Sequence, residues 1–111
     1  MQYGEILPMS REDAERFLQS GNEKAIIDAL LSSAYYDTDW RWVQSNCLRL
    51  LDDSPLEIRR IAVTCLGHLA RVHRTLDADK VLQKLTALKA DPSISGWVED
   101  ALDDIRTFVP H

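Results

Sequence analysis

The sequence predicts an all-α fold, a short solenoid of five to six antiparallel helices, in a single domain over residues 1–111. Three observations lead there. Apolar residues recur at i, i+3, i+4 and i+7 in one segment after another, and no segment sustains the period-2 alternation of a strand. Only 4 Gly and 4 Pro punctuate the chain, too few for the tight turns of a small all-β fold. The breaks between periodic segments are a few residues long, so successive helices should pack antiparallel.

The elements follow in order. Ser10 precedes a first short helix, with Asp13 at the capping-box position, Ala14, Phe17 and Leu18 at helical spacing, and Gly21 in the C′ role. Residues 23–35 carry a second helix with Ile26, Ile27, Leu30, Leu31 and Ala34. Asp37 or Thr38 caps a third, with Trp40, Val43, Cys47, Leu50 and Leu51 on one face. The fourth is the clearest. Ser54-Pro55-Leu56-Glu57 combines an N-cap Ser, Pro at N1 and Glu at N3. Ile58, Ile61, Ala62, Cys65, Leu66, Leu69 and Val72 then form its apolar row, the expected central core. Asp77 caps a fifth helix carrying Val81, Leu82, Leu85 and Leu88. Asp91-Pro92-Ser93 opens a sixth, with Trp97, Ala101, Ile105 and Phe108 as its row beside Val98 and Leu102.

Composition bounds the function. Eighteen acids against thirteen bases give a net charge of -5, which disfavours nucleic acid or an anionic membrane and favours a basic protein partner. The opening MQYGEILPMS has no basic region and no long apolar run, so no signal peptide is expected. No stretch approaches the roughly 20 apolar residues of a membrane span, since Asp28 interrupts Ala25–Leu31. A cytoplasmic protein is expected. Cys47 and Cys65, the two cysteines, sit in apolar rows of separate helices, which fits reduced, buried thiols; a disulfide is the alternative.

Leu50 to Leu69 resembles the core of a HEAT repeat: the acidic turn Asp52-Asp53-Ser54-Pro55, the pair Ile58-Arg59, Ala62, and Leu66-Gly67-His68-Leu69. Shifting by 39 places Ile58 over Trp97, Ala62 over Ala101, Leu66 over Ile105 and Leu69 over Phe108. A period of about 35–40 residues is that of an α-solenoid. The second copy keeps Asp91, Pro92, Ala101 and Ile105 and lacks the Arg; residues 1–36 match only as generic helices. The resemblance implies a HEAT-like array of two to three helix pairs. HEAT-like proteins are mostly binding scaffolds without catalysis. Small bacterial ones include immunity proteins of polymorphic-toxin and contact-dependent growth inhibition systems. The resemblance therefore implies an immunity protein that occludes a basic toxin domain, such as a nuclease, with an adaptor for another protein partner or a HEAT-like nucleic-acid binder as rivals.

No residue set announces chemistry. Cys65 and His68 are three apart, but two ligands do not make a zinc site and no third residue orients the His as a base. No catalytic residue, metal or cofactor is expected, and the chain should not be an enzyme. Arg59, Arg60, Arg71, Arg74, His68 and His73 gather on the fourth helix without interleaved aromatics. Arg59 is expected to pair with Asp52 or Asp53, and the others to be solvated. Two surface groups remain as candidate partner-binding residues. Trp42 falls opposite the apolar arc of the third helix, near Asp37, Asp39 and Arg49; it is either a binding anchor or packed on the first helix or N-terminal segment. Trp97, Glu99, Asp100, Asp103 and Asp104 lie on the sixth helix, where Glu99/Asp103 and Asp100/Asp104 are like-charge i, i+4 pairs. One sign of charge concentrated there points to docking on a basic surface.

Overall fold

A computed structural model of the chain describes residues 5–52 and 54–110. It holds six helices and, among the described residues, no strand: α1 Arg11–Leu18, α2 Glu23–Tyr36, α3 Trp40–Leu50, α4 Leu56–His73, α5 Ala78–Leu88 and α6 Ser95–Phe108. The all-α expectation holds.

Local chemistry sets most helix starts as the sequence suggests, with shifts of a residue or two. Ser10 is extended and its hydroxyl accepts the Asp13 N–H at 3.1 Å, capping α1. Gly21 was expected one residue past the end of that helix. The C-cap is Gln19, and Gly21, at φ +74°, instead turns the chain into Asn22, whose side chain caps α2 through the Ala25 N–H at 2.9 Å. The α3 cap is Asp39, not Asp37 or Thr38. Asp37 is committed elsewhere: it accepts the Asp39 N–H at 2.8 Å and an arginine from α1. Helix α4 starts one residue later than expected. Pro55 is the N-cap and Ser54 makes no side-chain cap; its carbonyl accepts Arg59 Nε at 3.0 Å. Asp91-Pro92-Ser93 forms a turn rather than the first turn of α6. Asp91 Oδ1 accepts both the Ser93 N–H at 3.0 Å and its hydroxyl at 2.6 Å, which delays the helix to Ser95.

Helix α4 is the centre. It packs on α2, α3 and α6, while α1 leans on α2 and α5 on α6. Contacts advance together along α2 and α4: Cys65 Sγ lies 3.7 Å from the Leu30 carbonyl, and His68 stacks on Tyr35. They also advance together along α4 and α6, from Arg60 with Trp97 to Arg74 with Phe108. Helices α2, α4 and α6 therefore run parallel, side by side, as a layer.

This layer explains two corrections to the expected core. Ile58, Ile61, Ala62, Cys65, Leu66 and Leu69 are buried, but Val72 is 55% exposed. Tyr35 meets His68, so Val72 lies a turn beyond the end of α2, and no helix remains to cover it. On α6 the buried face is Val98, Ala101, Leu102 and Ile105. Trp97 and Phe108 instead lie at the seam with α4, beneath the guanidinium groups of Arg60 and Arg74. Gly67 lets this seam close. A Cβ there would stand 3.3 Å from Ala101 Cα and 3.0 Å from Asp104 Oδ2.

Candidate functional site

The first expected patch sits at the start of α3. The short 37–39 turn brings Asp37 and Asp39 beside Arg11 of α1, a residue the sequence reading passed over. Arg11 Nη2 lies 2.9 Å from Asp37 Oδ1 and 3.4 Å from Asp39 Oδ2, and its Nε donates to Asp37 Oδ2 at 3.3 Å. The same guanidinium stands 4.4 Å from the centre of the Trp42 ring. Trp42 is half-buried and packs against the core, with Arg11 of α1 across its ring. Arg49 lies farther along α3 and donates to Asn46 Oδ1 at 3.2 Å; Asn46 in turn donates to the Trp42 carbonyl at 3.0 Å. Asp37, Asp39 and Trp42 are thus brought together, with one of the two negative charges offset by Arg11. An arginine over an indole and a carboxylate pair at once has no local sequence signal, because it is 26 residues from Asp37.

The second patch, on α6, divides. Asp103 pairs with Arg106 at 3.6 Å and Asp104 with Arg71 of α4 at 3.6 Å. Among the described residues, no cation lies within ion-pair distance of Glu99 or Asp100. At ~100° per residue, Asp100 and Asp104 share the flank toward α4 while Glu99 and Asp103 turn toward the outer edge of α6. Because α6 begins at Ser95, Glu99 and Asp100 both lie past its first turn and gain no relief from the helix dipole. Trp97 is 43% exposed, with the Arg60 guanidinium 4.3 Å from its ring centre. The α3 and α6 patches are separate: α3 meets α4 through the paired Cys47 and Cys65 thiols, whereas α6 meets it through Arg60, Gly67 and Arg71.

The α4 basic residues tie helices together. Arg59 pairs with Asp91 at 3.6 Å, not with Asp52, which holds Lys84 at 2.9 Å; Asp53 lies outside the described residues. Arg60 donates to the Ser93 carbonyl at 3.0 Å and approaches Glu57. Aromatics do interleave this cluster, contrary to expectation, but they come from neighbouring helices: Trp97, Phe108 and Tyr35, whose ring stacks on His68 with centroids 4.1 Å apart and planes 11° from parallel. Partial burial, with Arg71 and His73 close by, lowers the His68 pKa, against an opposing pull from Asp104. Ser93 hydrogen bonds, with help from Arg59, hold the Asp91 carboxyl below its usual range.

Cys47 and Cys65 are free, buried thiols; the Cys65 thiol and burial push the Cys47 thiol well up, away from the reactive thiolate. Among the described residues no group of three His, Cys, Asp or Glu is placed to hold a metal ion. A groove of about 480 Å³ between α3 and α5, lined in part by Trp40, Arg41, Gln44 and Lys80, contains neither His nor Cys. No described helix is long and apolar enough to cross a membrane.

No protein-family profile matches the sequence, and no curated protein matches it. A solved structure does. The crystal structure of a CDI complex from Cupriavidus taiwanensis LMG 19424 contains a chain 40% identical to this one, over 97% of each chain, with a TM-score of 0.86. On that identity and coverage this chain belongs to the same protein family as that component of the Cupriavidus taiwanensis CDI complex.

Proposed function

We propose that this chain is an immunity protein of a contact-dependent growth inhibition system, which neutralises its toxin by binding and covering it. The observation that carries this reading is the match over 97% of the length to a chain found in a CDI complex. The charge supports it: a net -5, with Glu99 and Asp100 uncompensated, suits a basic partner such as a nuclease domain, whose active site expects phosphate charge. Neutralisation by occlusion needs no catalytic group, and the surface offers ion pairs and aromatic rings rather than a nucleophile with its base. The site of action is the cytoplasm. The parallel α2, α4 and α6 layer, with α1, α3 and α5 as returns, also favours the HEAT-like reading of the array.

The test is a titration of the purified chain with its cognate CDI toxin domain. The expected result is a 1:1 complex with submicromolar Kd. Absence of binding by folded protein contradicts the immunity reading and leaves the adaptor alternative.

A further inference from the structure

The exposed ridge of α4 is formed by Arg60, Thr64 and His68, each one turn from the next. Its two ends each carry an aromatic ring from a neighbouring helix. Trp97 of α6 lies against Arg60, and Tyr35 of α2 lies against His68, the rings being 43% and 50% exposed. Each ring is backed on one face by a planar cationic or imidazole group and open on its surroundings. That fixes the rings before any partner arrives, so docking loses little rotamer freedom. Aromatics and arginine in such settings dominate binding energy at protein interfaces. Eight residues of helix place the two anchors roughly 12 Å apart along α4, on opposite flanks, with Thr64 exposed between them. Uncompensated Asp100 borders the Trp97 end. Trp42 differs: its ring is half-buried under an arginine that two carboxylates already occupy.

We propose that the toxin docks on the exposed face of the α2–α4–α6 layer, with Trp97 on Arg60 and Tyr35 on His68 as its two anchors, and not on the Trp42 patch. This rests on the immunity reading. The occupant is the toxin domain, meeting the two rings with apolar surface and Asp100, which pairs with no described cation, with a basic residue at the Trp97 end; Arg60 lies under Trp97, and Arg71 beyond His68 is held by Asp104.

The test measures binding of the cognate CDI toxin domain by surface plasmon resonance to four variants: Trp97→Ala, Tyr35→Ala, Thr64→Arg and Trp42→Ala. Thr64 is solvent-exposed, so Thr64→Arg leaves folding intact and checks the face even if an aromatic truncation disturbs it. Trp97→Ala and Tyr35→Ala should each accelerate dissociation about tenfold. Thr64→Arg should weaken binding at least as much, with an unchanged melting temperature, and Trp42→Ala should change affinity less than about threefold. Wild-type affinity in Thr64→Arg, or a larger loss in Trp42→Ala than in both Trp97→Ala and Tyr35→Ala, overturns the assignment of this face while the immunity reading stands. So does a wild-type dimer that Thr64→Arg dissociates, since the face would then join two copies of this chain. Failure of the wild-type chain to bind contradicts the immunity reading itself.

Discussion

Leu66 is fully buried on α4, the helix on which α2, α3 and α6 converge. Truncation there leaves a cavity that three rigid neighbours cannot collapse into. Leu66→Ala should lower unfolding free energy by about 2–5 kcal/mol, read from the urea midpoint. His68 sets a second residue-scale expectation. Its imidazole is held below the ordinary 6.5 by burial, Arg71 and His73, with Asp104 opposing and the Tyr35 ring stacked on it. The unfolded chain therefore takes up this proton at a higher pH than the folded one. The contribution is complete above 6.5 and declines as pH falls through that value toward the lower folded-state pKa. In His68→Asn, urea midpoints measured across this window should fall less steeply with decreasing pH than in the wild type.

At the scale of elements, the α4–α6 seam depends on a missing side chain. Gly67 faces Ala101 backbone at a distance that would leave an added Cβ 3.3 Å from Ala101 Cα, while Gly96, also in α6, has open space around it. Gly67→Val should destabilise by about 1–3 kcal/mol through overpacking. Gly96→Ala should stabilise by about 0.4–1 kcal/mol by restricting the unfolded chain. Thermal melts of the two variants should move in opposite directions. The same seam shows what a sequence can and cannot disclose. Periodicity in Ile58–Leu69 is a local property, so α4 and its core row were legible. Helix starts were legible to within a few residues, because neighbouring Ser, Thr and Asp oxygens compete for the same N–H groups and the winner depends on outside partners such as Arg11, while α4, α5 and α6 carry no side-chain cap. Val72 and Trp97 were misplaced for a different reason. Their burial is decided by where α2 ends and by an arginine 37 residues away in sequence, facts of helix register that no single-helix pattern holds. The acidic α6 cluster was visible as composition, but its division into Arg-paired and uncompensated members was not.

For the whole molecule, the proposed immunity role assigns the excess of acid to interaction rather than to folding. Glu99 and Asp100 form no ion pair with a described residue, so Glu99→Lys with Asp100→Lys breaks no ion pair seen there and relieves repulsion with Asp103 and Asp104. The double variant should melt no lower than the wild type. Its association with a basic toxin should be slower at low salt, and the dependence of that rate on ionic strength flatter. An unchanged rate would mean that these carboxylates are a solvated face. On the proposed reading, the α4-centred layer is the platform and the charge steers the partner toward it.

On the proposed reading, this chain protects a cell from a toxin by covering it. Growth of bacteria producing the cognate CDI toxin domain, with and without co-production of this chain, tests that in the cell. Growth should stop with the toxin alone and recover when the folded chain is present. Continued growth arrest, with the chain soluble and abundant in the same cells, would contradict the account.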